Sequence, residues 1–580
     1  MSALWSTAAE AAPWIFGTWV VVALFVLARG GLQLAARLGR VSSVVFACAA
    51  LAGVLAQLAP ELEVGRLGRF GYGSVSYFSA SCDVVAGLVA AMLAWPLAGD
   101  SPRRTTRRWL SAGWGAFAVS VASRADDMFT LVLALEMAAV VEIWWGSSPR
   151  SRRRHFLATT AALLGVTLIY GATSSASLGD LPLGSASIFN HWGSTQRYVG
   201  TLADGHGRLP SGIEYQLRGK IIAGMAAVSL FLPGILLLLA GVLFRYWAPG
   251  RPMASARIFG RFVAFVLLMR IFAGSLYTPR LVNEPYGWVG PLLALSLGWA
   301  AWSLLRLRRA RALEDWIGEL VRAHLAVVLV VFVVASNLYG HRAKVDRSVA
   351  PVLERAWAAV VGDQAIVATL TAFFFAVVLA TAARIWLRRH GLRELQDLEG
   401  LGRRDPLVGL ATAGLLTSLC AWPFGPGFPV FVEVTSSVMS HTEMRGVGLA
   451  LALIWGVMAL FGFDAIRRIF AEGGLATSLH VETEASRVRD GVVATLLVGV
   501  LLVAGLVPSL WLHPLRWAGV GFSSTLGGPA RERAVREAKE RWASDGRLPG
   551  ASVELMRERE GEPPPPEPIL QRVPLSNPAE

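Results

Sequence analysis

The chain has 580 residues and a formal net charge of +14, yet only 16% of its residues are charged, 54% are hydrophobic and the mean hydropathy is +0.51. A soluble domain carries about 25% charge, so the composition excludes the string of soluble domains that length alone would allow. The basic excess sits in short arginine clusters between apolar runs, as membrane topology demands, which argues against nucleic acid as a partner.

A helix needs about 20 mostly apolar residues to cross the bilayer core. Fourteen segments qualify, at 14–33, 42–59, 76–98, 108–124, 126–146, 155–174, 220–246, 254–276, 285–306, 318–339, 364–386, 406–438, 447–470 and 490–514. The expected fold is all-α: a polytopic membrane bundle over residues 1–514, with a polar tail at 515–580. Short alternating segments of the kind that build a membrane barrel are missing. The N-terminus has no basic stretch before its first apolar run, so it reads as a retained helix and not as a cleaved signal. Only Arg124, Asp126 and Asp127 separate the fourth and fifth segments. The twelfth carries WPFGPGFP and is expected to be broken, since Pro and Gly at that depth need protein or water around the freed backbone groups. Residues 175–218 are polar and predict a long external loop. In the tail, PARERAVREAKERWAS reads as a short charged helix and EPPPPEP as a polyproline-like stretch, either solvated or an arm for a partner.

Arginine clusters follow the odd-numbered segments: Arg37/Arg40, Arg103/Arg104/Arg107/Arg108, Arg150/Arg152/Arg153/Arg154, Arg251/Arg257, Arg306/Arg308/Arg309/Arg311, Arg388/Arg389/Arg393 and Arg467/Arg468. The positive-inside rule makes these loops cytoplasmic and places both termini outside.

Ionisable groups inside membrane helices are costly and are functional candidates for that reason. Here they are Asp83, Glu136, Glu142, Arg261, Arg270, His324, Glu433 and Asp464. Glu136 lies ten residues past Asp126, about 15 Å along a helix, where a carboxylate must be neutral, paired or hydrated. A purely structural ion pair is the alternative reading. Basic residues are almost all Arg, with Lys only at 220, 344 and 539. Cys48, Cys82 and Cys420 are far apart and without CxxC or Cys/His spacing, so no metal, iron–sulfur centre or disulfide is expected. No phosphate-binding loop, dinucleotide fingerprint or haem-ligand pair is evident, so no cofactor is expected either.

Several blocks resemble, in collinear order, the antiporter-like subunits of proton-pumping NADH:quinone oxidoreductase (respiratory complex I), and subunit N in particular. RELQDLEGLGRRDPLVGL, at 393–410, is similar to an amphipathic D-L-x-G-L-G-R-R-x-P-L stretch that leads into the twelfth helix of that family. ASRADDMFTLVLALEM resembles its fourth-to-fifth helix junction and fifth-helix Glu, and RRRHFLATTAALLGVTLIYGAT its sixth helix. LFRYWAPG is similar to the F-H-x-W-A-P that closes the seventh, and FGRFVAFVLLMRIF to the eighth, with Arg261 and Arg270 nine apart. LCAWPFGPGFPVF and ALFGFDAIRRIF resemble the broken twelfth and the thirteenth. The resemblance spans about residues 80–515.

The resemblance implies a fifth-helix Glu paired with a seventh-helix Lys, followed by a hydrated proton path through later Lys or His residues. Glu136 and His324 stand on matching positions, but the three lysine positions hold Leu238, Arg261 and Phe431, with Glu433 near the last. Candidate proton-path residues are thus Glu136, Arg261, His324, Glu433, Arg270 and Asp464. The implied protein is a subunit in the bacterial inner membrane, surrounded by lipid and by other membrane subunits of a hetero-oligomeric complex, moving protons or retaining the scaffold without the pump. NADH, flavin and quinone chemistry would belong to other subunits. A subunit of a multisubunit cation/proton antiporter or a membrane-bound hydrogenase fits the same residues. A third class is an unrelated transporter or lipid-modifying enzyme with His191, Asp204 and His206 in its long loop; no nucleophile or metal spacing accompanies them.

Overall fold

A computed structural model describes residues 2–57, 77–95, 101–146, 149–173, 211–247, 255–275, 289–345, 352–423, 425–440, 444–471, 484–509 and 511–512, with only the backbone at several helix ends. These residues are helical, with no strand among them beyond one isolated bridge, Ala312 with Glu394. In chain order the helices are α1 (Ser2–Gln57), α2 (Tyr77–Ala94), α3 (Pro102–Arg124), α4 (Met128–Gly146), α5 (Pro149–Thr173) and α6 (Ser211–Tyr246). Then come α7 (Ser255–Leu267) running into a π-turn at Leu268–Ser275, α8 (Val289–Leu307), α9 (Leu313–Val345) and α10 (Val352–Arg389). A 3-10 turn (Leu395–Leu398) and the short α11 (Leu401–Arg404) precede α12 (Pro406–Leu419), α13 (Gly427–Met439), α14 (Arg445–Phe470) and α15 (Glu484–Leu506).

Each expected apolar segment contains helix among its described residues. The first two share α1, which leaves helical geometry at Gly31 (φ 69). The twelfth is broken as expected, into α12 and α13. At the break, Ala421 adopts φ 56, a left-handed conformation costly for a residue with a Cβ. A Cβ on Gly427 would lie 2.0 Å from the Ser418 carbonyl oxygen, so only glycine lets α13 start so close to the end of α12. The helix α6 begins at Ser211, so Ser211–Arg218 of the expected loop is helical. The rest of that loop and the tail at 515–580 lie outside the described residues, as do the side chains of Glu142, Lys220 and Lys344.

Among the described residues, eight helical spans, two of them within α1, are long and apolar enough to cross a membrane, and five shorter apolar helices join them. Lipid tails are as apolar as leucine, so helix association in such a bundle relies on close packing of small residues. The α5–α6 pair shows this. A Cβ on Gly165 would sit 2.5 Å from the Leu238 nitrogen, and one on Gly241 would sit 2.5 Å from the Ala158 oxygen.

Contacts join several of the arginine-bearing helix ends to one another. Gly39 packs beside Thr105 and Ala94. Arg388 meets Glu314 at 2.5 Å, Arg306 meets Glu319 at 3.3 Å and Arg468 meets Glu399 at 3.3 Å. The segment 393–410 is the joint that ties these ends together. Its Glu394 and Asp397 form a reciprocal cap, Gly400 takes φ 70, and Asp405 caps α12 by accepting from the Val408 N–H at 3.1 Å. Leu313 N–H donates to the Arg393 carbonyl at 2.8 Å, and Gly400 N–H donates to that of Arg468 at 3.0 Å.

Candidate functional site

From α4 to α13, buried polar contacts recur on successive helices. At the start of this line, Glu136 on α4 accepts from Arg245 on α6 at 2.7 Å. Thr159 on α5 donates to Glu136 and accepts from Arg245 at 3.0 Å. A further Arg245 N–H donates to Nδ1 of His155, one turn before Thr159. Arg245 is 4% exposed and Glu136 29%. The glycine contacts between α5 and α6 bring Arg245 within reach of Thr159 and His155.

The next two members use the ends of helices. A helix leaves its last carbonyls without intrahelical partners, and inside a membrane bundle another side chain must supply them. Arg261 on α7 is buried, and its Nε donates to the carbonyl of Tyr246, the last residue of α6, at 3.1 Å. The Tyr246 hydroxyl donates to the Leu325 carbonyl on α9 at 3.0 Å. Beside Leu325, His324 is buried and donates from Nε2 to the carbonyl of Leu419, the last residue of α12, at 2.6 Å. The break in the twelfth segment therefore creates the acceptor that fixes His324. The His324 ring lies 5.0 Å from Trp455 and 6.1 Å from Phe375, and Trp455 lies 5.6 Å from Phe431. Glu433 follows on α13, half-buried. Trp455, and Thr371 on α10 with Thr435 and Ser437 on α13, hold buried polar atoms without a protein hydrogen-bond partner. Such atoms are water-binding positions.

Two candidates stand apart from the line. Arg270 donates to the Ser123 carbonyl at 2.6 Å, at the other end of α3 from the arginine clusters. There Asp83 and Arg124, each 1% exposed, form a bidentate pair at 2.5 and 3.1 Å, with Ser120 donating to Asp83 at 2.7 Å. Asp464 is 41% exposed and pairs with Arg467 at 3.2 Å and Arg468 at 2.8 Å, at the arginine-rich end. Two of the three positions that the resemblance fills with lysine hold packed apolar groups: Leu238 is buried under Gly165, and Phe431 rests on Trp455.

Arg245, His155, Thr159 and Tyr246 were not legible as site residues. One signal existed. In LFRYWAPG, Arg245 stands where the F-H-x-W-A-P pattern has His, yet the residue reads as one more basic group at a helix end. His155 is likewise hidden in the run RRRH.

No family model matches the chain. Among curated proteins it is 25% identical over 398 residues to NADH-quinone oxidoreductase subunit N of Nocardioides, covering 66% of this chain and 67% of that one. Among solved structures, a chain of an Mrp complex from Dietzia superposes over 90% of this chain and 98% of its own, with a TM-score of 0.64 at 15% identity. A chain of Thermus thermophilus respiratory complex I with bound aureothin gives 0.56 at 18% identity, covering 87% of this chain and 99% of its own. This protein has the antiporter-like membrane subunit fold. A chain of the membrane-bound sulfane sulfur reductase, an archaeal respiratory membrane complex, shares that fold with a TM-score of 0.59 at 14% identity, over 90% of this chain and 99% of its own. In the antiporter-like fold seen here, the broken helix and the buried line of polar groups occur together.

Proposed function

We propose that this chain is an antiporter-like subunit of a respiratory NADH:quinone oxidoreductase in the bacterial inner membrane, and that it moves protons along the line from Glu136 to His324 and Glu433. The observation that carries this reading is the succession of buried polar contacts on α4, α6, α7 and α9 and at the α12–α13 break. Protons pass along hydrogen-bonded groups and the water that unsatisfied polar atoms hold. The buried hydroxyls of Thr371, Thr435 and Ser437 extend such a path past His324. Arg245 and Arg261 cannot serve as proton carriers, because a guanidinium stays protonated. Their part is to fix carboxylate and carbonyl groups and to set the local potential. Redox chemistry then resides in partner subunits, the arginine-rich end faces the cytoplasm and both termini lie outside.

A second reading is a subunit of a multisubunit cation/proton antiporter, favoured by the superposition on the Mrp chain. Purifying the tagged chain in mild detergent and identifying what accompanies it separates the two. Redox subunits with NADH dehydrogenase activity are expected. A complex of membrane subunits alone, without redox proteins, would replace the first reading with the second.

A further inference from the structure

We propose that the seam where the end of α6 meets α8 and α9 holds a row of ordered waters, and that this row is a proton entrance joining the line at Tyr246. The entrance rests on the reading of the chain as a proton-moving subunit. In this seam Glu319 Oε2, Ser303 Oγ, Trp299 Nε1 and Trp247 Nε1 are buried without a protein hydrogen-bond partner. Ser303 is 1% exposed and Glu319 6%. Buried polar atoms are nearly always hydrogen-bonded, and where the protein supplies no partner, water does.

Contacts and helical spacing put these atoms in order. Arg306 on α8 meets Glu319 on α9 at 3.3 Å, which sets the two helices against each other at that level. Ser303 stands three residues before Arg306 and Trp299 four before Ser303, so all three share one face of α8. The rise from each to the next is about 5–6 Å. Two hydrogen bonds of about 2.9 Å span that distance, so a single water joins each neighbouring pair. Trp299 stacks on Trp247 at 5.2 Å, immediately past the end of α6. The adjacent Tyr246 donates its hydroxyl to the Leu325 carbonyl on α9 and accepts from Arg261 at its own carbonyl. The row thus runs from Glu319 to Tyr246, which lies between the Glu136 cluster and His324 in the line. Arg306 and Arg322 hold Glu319 through Oε1, and Oε2 is left to anchor the first water. The carboxylate stays ion-paired throughout. Protons pass from water to water, each molecule taking up one and releasing another. One turn of α8 beyond Trp299, Ser296 donates to the Leu292 carbonyl of its own helix at 2.6 Å, so the row turns to α6 at Trp299.

The test reads hydration and transport together. In the assembled complex in bilayers, with 15N-indole tryptophan, solid-state NMR follows polarisation transferred from water, and Trp247→Phe and Trp299→Phe assign the two signals by their loss. Both indoles are expected to receive it. The buried indole of Trp386, which donates to Thr412 at 2.9 Å, is expected to stay dark. Valine and threonine have the same shape and differ in one hydroxyl. At matched complex content, proton uptake into sealed vesicles is expected to fall several-fold in Ser303→Val and to stay near wild type in Ser303→Thr. Seam indoles as dark as that of Trp386 would overturn the row of waters. Hydrated indoles with equal uptake in the two Ser303 variants would overturn the entrance. If the wild-type complex translocates no protons, the functional reading falls and the entrance with it, while hydrated indoles uphold the waters.

Discussion

Asp83→Ala is expected to cost the assembled protein about 3–5 kcal/mol, because it removes the carboxylate that pairs with the buried Arg124 guanidinium. The two side chains are each 1% exposed, and the pair is bidentate. Ser120 and the neighbouring serines satisfy hydrogen bonds but bring no negative charge, so they cannot offset the loss. Thermal unfolding of the purified complex, and the amount of chain retained in membranes, read the effect. The double change Asp83→Leu with Arg124→Leu is expected to recover most of it. Replacing a buried pair with apolar side chains of similar volume is often neutral or stabilising by about 1–4 kcal/mol. A single variant as stable as the wild type would show that the pair is hydrated, and that α2 and α3 are held by other contacts.

Arg245→Ala is expected to have the largest effect at the candidate site. It removes the partner of Glu136 and, in the same step, the donor to Thr159 and His155. A carboxylate left unpaired at this depth must take up a proton or recruit water. The destabilisation is expected to reach about 3 kcal/mol, and proton translocation to fall with it. Arg245→Lys separates charge from geometry. Lysine keeps the positive charge but not the planar fork that reaches three partners at once. If the charge alone matters, translocation recovers in Arg245→Lys. If the fork is needed to hold His155, stability recovers and translocation does not.

How far the sequence could be read follows from the range over which each feature is encoded. The break in the twelfth segment is local: three prolines and two glycines lie within WPFGPGFP, and no helix continues through them. The side alternation of the arginine clusters is also written in order along the chain, and the ion pairs Arg388–Glu314 and Arg468–Glu399 bring those ends together. Glu136 was visible because a carboxylate within TLVLALEMAAVV is costly and needs a partner, a proton or water. Its partner was not. That Arg245 also meets Thr159 and His155 depends on how closely α5 approaches α6, where Gly165, Gly234 and Gly241 sit, and glycines so far from the charge carry no label of their purpose. Arg261 and His324 show the same limit. Each stood out as an ionisable group in an apolar run, but the carbonyls they cap belong to residues 15 and 95 positions away. Asp464 is a different case, since DAIRR places arginines three and four residues later, where a helix brings them beside the carboxylate.

The line from Glu136 to His324 is tested most directly by proton uptake into sealed inverted vesicles holding the intact complex, wild type against Glu136→Gln, at matched complex content and with its electron-transfer or antiport partners active. Glutamine keeps the size and an acceptor oxygen for Arg245 and removes the charge, so the complex is expected to assemble. Translocation is expected to drop by about tenfold or more, the scale on which removing a proton-transferring group acts. Uptake equal to the wild type would contradict the account and leave Glu136 as one half of a structural ion pair.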